Sequence, residues 1–432
     1  MINQRKLKYL LVLSTLLIML LVAAPALAAT DSRAGLGPSV QFYVPKPNHG
    51  AIEQIADLTA SGNKEDANLI HKMIETPQAV WFTQGTPKTV LQDVRNTVQR
   101  AADKGQVPVL VAYNIPFRDC AQFSAGGATS VAQYKAWIDG FAAGIGNSRA
   151  VVILEPDGLG IIPWYNPFGD RDTWVSNPNY EWCRPAEANQ TTAAAERFEL
   201  MNYAVDKLKE NASTSVYLDA THSAWLGAGD AADRLIQAGV ADADGFFLNV
   251  SNYQLNSRLE KYGAWISKCI AFASHPSSWG QGHSEWCASQ YHPASPDDFS
   301  TWGLTDQWYR DNVESQTGWY SESILKRFVI DTSRNGQGPW PGISGHPASD
   351  PATQDWCNPP DRGLGFRPTA NTGLTLVDAY LWVKIPGESD GQCNRWAPGP
   401  VDPVRGIVDP AAGQWFPDMA LELVENANPP LP

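Results

Sequence analysis

The sequence is poor in charge, and poorer still in positive charge. Of its 432 residues 18% are charged, against the roughly 25% usual in soluble domains, and 32 Lys and Arg face 45 Asp and Glu. A net charge of −13 excludes surfaces built for nucleic acid or anionic lipid, which require clustered cations. No apolar run beyond residue 28 is long enough to span a bilayer. The chain has no G-x-G-x-x-G turn, no C-x-x-C pair and no D-x-D-x-D-G loop, which removes the usual signatures of dinucleotide, zinc-ribbon and EF-hand sites. It also lacks an internal repeat or a Ser/Pro-rich linker, so residues 29–432 read as one domain. What it has is a 43% hydrophobic content, ample for a large core, together with 17 Trp, 32 Pro and 35 Gly. That much Trp serves either a core or a flat surface for stacking on a neutral, planar partner.

The first 28 residues read as a secretory signal peptide. Arg5, Lys6 and Lys8 precede an apolar stretch from Leu10 to Val22, and Ala26-Leu27-Ala28 is a small-x-small site with cleavage expected near Ala28. A membrane anchor is the competing reading, disfavoured by the short run and the site that follows. A secreted chain meets oxidising conditions, so Cys120, Cys183, Cys269, Cys287, Cys357 and Cys393 read as three disulfides. Six cysteines allow 15 connectivities. Consecutive pairing is the simplest, since each bridge would then close a local excursion. Zinc is the weaker alternative, because only His283 stands at ligand-like spacing from a cysteine, Cys287.

Short β-branched or aromatic runs recur at Val40–Val44, Ala79–Phe82, Val107–Asn114, Val151–Asp157, Ser215–Ala220, Gly245–Ser251, Arg327–Ser333 and Ala379–Lys384. Helical patterns lie at Ala67–Glu75, Val90–Ala102, Val131–Ile145, Ala193–Asn211, Asp230–Gly239 and Pro417–Asn426. Continuous apolar strands alternating with helices indicate parallel βαβ units buried on both faces, and so many of them favour a (β/α) barrel. Ile161–Thr192, Cys269–Thr317 and Pro386–Gln414 break the rhythm as long loops, expected to wall the site.

Carboxylates sit where a barrel would use them. Asp119 follows the third run, Asp157 ends the fourth and Asp219 the fifth, Asp331 lies on the seventh, and Glu388 and Asp390 follow the last. Residues at the carboxyl ends of barrel strands converge on one mouth. Crowded carboxylates cannot all ionise, so one keeps a proton to donate while another accepts, which is the equipment for glycosidic cleavage. Mg²⁺ or Ca²⁺ binding is the rival for an acidic cluster. Arg118 and Lys384 are placed to balance the charge instead, and no metal or cofactor is expected. Trp81, Trp225 and Trp356 lie near mouth positions and suit the C–H faces of a sugar ring, with Trp164 and Trp396 on the long loops. His222, Asn249, Asn252, Lys384 and Glu388 are candidates for hydroxyl groups.

The stretches YNIPFRDC (113–120), ILEPDGLG (153–160), YLDATHSAW (217–225), VIDTSRNG (329–336), DWCNPP (355–360) and WVKIPGESDG (382–391) resemble glycoside hydrolase family 6, the inverting cellulases. The resemblance runs over nearly all of residues 29–432. It implies a distorted, incomplete barrel of about seven parallel strands, with disulfide-stapled loops over the active site. It implies that Asp157 is the general acid, that Asp119 raises the pKa of that acid, and that Asp390 is the proposed base. The base is disputed in this family: proton removal through a water held near Ser124 is the other route. Asp219 would bind sugar near the acid, Tyr113 would press on the reacting ring, and Trp81, Trp225 and Trp356 would stack. Lys384 and Glu388 would bind hydroxyls. The family pattern also supports bridges 120–183 and 357–393.

The insertions ASQYHPASPDDFSTW (288–302) and GIVDPAAGQWFP (406–417) look closest to exo-acting bacterial members. The expectation is therefore a secreted, monomeric cellobiohydrolase acting on cellulose from non-reducing ends, without a separate carbohydrate-binding module. The alternatives are an endo-acting member and, from another class, a glucan-binding protein without catalysis. Gly158 departs from the pattern this resemblance implies, in which many members have Ser or another residue at that position.

Overall fold

The computed structural model describes residues 36–120, 122–165, 183–342 and 354–432, so the expected signal peptide lies outside the described residues, as do 166–182 of the first long loop. Seven parallel strands form one curled sheet in the order of the sequence. They are β1 (Val80–Phe82), β2 (Val109–Ala112), β3 (Ala150–Leu154), β4 (Thr214–Asp219), β5 (Gly245–Leu248), β6 (Arg327–Asp331) and β7 (Val377–Leu381). The outer edges do not pair as strands, but Ala79 N donates to Trp382 O (2.9 Å) and Trp81 Nε1 to Val383 O (2.8 Å), which draws the barrel almost closed. This is the distorted, incomplete barrel anticipated from the sequence.

Both faces of the sheet are buried, which is why the strands read as continuous apolar runs. Val111, Ile153, Tyr217, Phe247 and Val329 fill the barrel interior. Their neighbours Leu110, Val152, Leu218, Phe246 and Phe328 pack outward against the helices. The helices are α1 (His49–Ala60), α2 (Lys64–Ile74), α3 (Pro87–Ala102), α4 (Val131–Ile145), α5 (Ala193–Lys209), α6 (Ala228–Gln237), α7 (Asn256–Ser274), α8 (Trp302–Tyr309) and α9 (Pro417–Glu425).

Two expectations need correction. Val40–Val44 is not a strand: it makes a single bridge, Phe42 to Val107, because β1 occupies the flank of β2 above that point. The loop expected over Cys269–Thr317 begins inside α7 and contains α8. The α7 sequence buries Leu259, Tyr262, Ile266, Cys269 and Ile270 at helical spacing, and Gly263 lets the Phe328 ring approach to 2.4 Å from where a Cβ would lie. The disulfides are Cys120–Cys183, Cys269–Cys287 and Cys357–Cys393, the consecutive pairing.

Candidate active site

Past their carboxyl ends, several strands pass through left-handed residues: Asp119 (φ 48°) in the loop after β2, Glu155 (53°) and Asp157 (60°) after β3, Thr221 (55°) after β4, and Asn249 (71°) and Ser251 (60°) after β5. Such conformations are uncommon for residues with a Cβ and gather at functional sites. Of these, Asp119, Asp157 and Ser251 line a cavity of about 980 Å³ at the barrel mouth.

Asp119, Asp157 and Asp390 all line that cavity. Asp157 carries a pKa well above the usual carboxylate value, chiefly through burial and then through the negative fields of Asp219, Asp119 and Asp390. Burial pushes Asp119 to about 6, opposed by the Ser124 N–H, which donates to Oδ2 at 2.7 Å, and by Arg118. Burial alone would raise Asp390 too. Arg334 (2.9 Å) and Lys384 (3.4 Å) outweigh it and hold that carboxyl below its usual value. The cavity thus gathers one carboxyl pushed up and one held down, with Asp119 at about 6.

Trp81, Tyr113, Trp225 and Trp356 line the cavity. Tyr113 meets Trp81 edge to face at 5.3 Å, and the Arg118 guanidinium lies 4.7 Å from the Tyr113 ring centroid. Trp225 lines the cavity with His222, whose ring is tilted against it at 5.8 Å and which burial holds neutral, with a pKa near 4. Asn252, Ser124, Lys384 and Glu388 also line the cavity. Glu388 Oε1 accepts from Asn48 Nδ2 at 2.8 Å.

Two expected binding residues lie behind the wall. Asp219 is 2% exposed and turns its carboxylate to backbone, accepting from Leu159 N (3.2 Å), Gly160 N (3.0 Å) and Thr221 N (2.9 Å). Asn249 is fully buried, donates to Asp331 O and accepts from Gln254 N. Both shape loops, and neither lines the cavity. Asp331 behaves likewise, accepting from the backbone of Ser251, Ser333, Val383 and Lys384 at the ends of β5, β6 and β7. Trp164 donates to Pro185 O, and Trp396 is 62% exposed; neither lines the cavity.

Sequence reasoning missed Arg334, fully buried beside Asp390, and Asp355, which lines the cavity next to Trp356 and is raised by burial to about 6. Both lie in motifs already singled out, VIDTSRNG and DWCNPP. Tyr291 and Asp297, from the excursion after Cys287, also line the cavity. Tyr291 OH donates to Trp225 O at 2.9 Å, so that excursion does wall the site. Gly158 has a local reason: a Cβ there would lie 2.6 Å from Glu155 O.

A parallel barrel whose mouth gathers carboxylates with pKa values pushed in opposite directions, among aromatic faces, has the layout of a two-carboxylate glycoside hydrolase. The family model for glycosyl hydrolases family 6 matches residues 38–427, and the chain belongs to that family. It is 32% identical over 391 residues to endoglucanase A of Cellulomonas fimi and 33% over 392 residues to endoglucanase A of Thermobispora bispora, covering 90% of this chain in each case. The chain spans 62% and 63% of the length of those two proteins. A probable 1,4-β-D-glucan cellobiohydrolase C of Aspergillus clavatus is 29% identical over 384 residues, 82% of this chain and 68% of that one. Among solved structures, the endoglucanase Cel6 of Mycobacterium tuberculosis, in complex with methyl-cellobiosyl-4-deoxy-4-thio-β-D-cellobioside, superposes with a TM-score of 0.60 at 32% identity, over 92% of this chain and 99% of that one.

Proposed function

We propose that this chain hydrolyses β-1,4-glucan by single displacement with inversion, cutting at internal bonds. The observation that carries the reading is that one cavity holds Asp157, pushed up by burial and neighbouring carboxylates, and Asp390, held down by Arg334 and Lys384. Asp157 gives its proton to the departing glycosidic oxygen as the bond from the anomeric carbon to that oxygen breaks. Water forms the new bond from the opposite face and releases a proton. Asp119 is the better acceptor for that proton, because a carboxyl near 6 binds one more readily than Asp390, which two cations hold low. The Ser124 loop, bonded to Asp119, is suited to holding a relaying water. Asp390 stays charged and stabilises the oxocarbenium-like state. Trp81, Trp225 and Trp356 stack on sugar rings, while His222, Asn252, Lys384 and Glu388 take hydroxyls. Asp219 and Asn249 act by shaping the loops that carry these groups.

Endo action replaces the exo action expected from the insertions. Its support is that the Cellulomonas, Thermobispora and Mycobacterium proteins, each above 30% identity, are named endoglucanases. Exo action is the second reading, favoured by the 29% identity to the Aspergillus cellobiohydrolase. The leader and the disulfides support secretion, and the substrate is cellulose or soluble β-1,4-glucan, acted on by a monomer. Viscosity and reducing ends measured together on carboxymethyl cellulose separate the modes. Internal cutting collapses viscosity early, whereas cellobiose released with little viscosity loss supports exo action. Proton NMR of the first product formed tests inversion: the α-anomer is expected, and the β-anomer refutes it.

A further inference from the structure

Behind the acid loop, on the helix side of the barrel, one buried guanidinium touches both loops that carry the donor and Asp119. Arg197 on α5 is 3% exposed. Its Nη1 donates to Gly158 O (2.6 Å) and Ile161 O (2.8 Å), the turn that follows Asp157. Its Nη2 donates to Pro116 O (2.7 Å), between Tyr113 and Asp119. We propose that Arg197 is a positioning residue for the reaction: its planar fork fixes the Asp157 loop against the Asp119 loop and so sets the spacing of the two carboxylates.

The other supports of the acid loop act elsewhere. Asp219 takes the N–H groups of Leu159 and Gly160 from the β4 side. Arg234 on α6 takes the carbonyls of the same two residues while paired to Asp230. Among the described residues neither has a hydrogen bond to the Asp119 loop. At the roots of the two loops, Glu155 accepts from Asn114 N (2.8 Å) and Ile115 N (3.0 Å), so β2 and β3 are already locked together there. Arg197 extends that lock outward to where the reacting carboxyls stand. Three carbonyls met by one rigid fork suit Arg and not Lys. The clamp opposes a real force, since Asp119 and Asp157 repel when both are ionised. Arg197 remains charged at neutrality, although burial lowers its pKa to about 10.

The inference rests on Asp157 being the acid. Arg197 does not line the cavity, so its loss acts on kcat and leaves KM nearly unchanged. The test compares the full chain with R197K and R197A on cellohexaose and on 2,4-dinitrophenyl β-cellobioside, with pH profiles of kcat/KM. For R197K, kcat on cellohexaose is expected to fall about 10- to 100-fold, with a much smaller loss on the activated substrate. The alkaline limb should move to lower pH, because an acid freed from Asp119 and better hydrated loses its proton sooner. Loss of a cation alone would move that limb upward, and R197K keeps the cation, so it carries the test even where R197A fails to fold. Equal losses on both substrates, or an alkaline limb that stays or rises in R197K, overturn the inference and leave the functional reading standing. A native chain that cleaves neither substrate overturns both.

Discussion

Arg334 donates through Nη1 to Oδ2 of Asp390 at 2.9 Å, with the arginine side chain wholly buried. Nη2 of the same guanidinium goes to Ser251 O, and Asn358 N adds a further hydrogen bond to Asp390. An ion pair this deep is weak support for stability as a pair, yet removing one partner strands the other. D390N should therefore lose about 3–5 kcal/mol in chemical denaturation, and R334M/D390L should recover much of it. If D390N is as stable as the native chain, the pair is not the buried, mutually dependent unit described here.

Activity and stability should depend on pH in distinct ways. Asp119, at about 6, must be ionised to accept a proton, so kcat/KM should fall below about pH 6, and D119N should lose that acid limb along with most activity. An acid limb retained in D119N would remove Asp119 as the acceptor. For stability, burial raises Glu155 to about 7, while a Glu in the unfolded chain titrates near 4.3. The folded state then binds more protons between those values, so this contribution is full below about pH 4 and is lost as pH rises through about 7. Asp219 and Asp119, each near 6, act in the same sense, whereas lowered Asp390 acts oppositely and loses its contribution in acid. Tm should fall from pH 5 to pH 8, and in E155Q, which keeps an acceptor for Asn114 N and Ile115 N, it should fall less. An identical decline in E155Q would contradict the assignment.

Gly158 predicts a penalty for a larger residue at its position. A serine Cβ would meet Glu155 O at 2.6 Å and push on the turn clamped by Arg197. G158S should lose about 1–3 kcal/mol in thermal or chemical denaturation. It should also lose about tenfold in kcat on soluble cello-oligosaccharide. Native values for both would mean that the turn relaxes freely.

Much of this was legible in the sequence, for identifiable reasons. The strands β1 to β7 stood out because burial on both faces makes them short, uniformly apolar runs. Asp157, Asp119 and Asp390 stood out because strand ends put chemistry at the barrel mouth. What escaped notice depended on tertiary context. The α7 helix was hidden because the loop was expected to begin at Cys269, inside it, and only the Phe328 ring shows why Gly263 fits. Asp219 and Asn249 read as sugar ligands, yet their positions after β4 and β5 turn them toward backbone groups that only the fold reveals. Arg334 and Arg197 sit on a strand-end loop and a helix far from the carboxylates in sequence. Nothing local marks the carbonyls and the aspartate they serve.

The most direct test is the leaving-group dependence of D157N. The account has Asp157 holding a proton that only a poor leaving group needs. Turnover of amorphous cellulose should fall by several orders of magnitude, while hydrolysis of 2,4-dinitrophenyl β-cellobioside should fall by far less. Equal losses on the two substrates would contradict it.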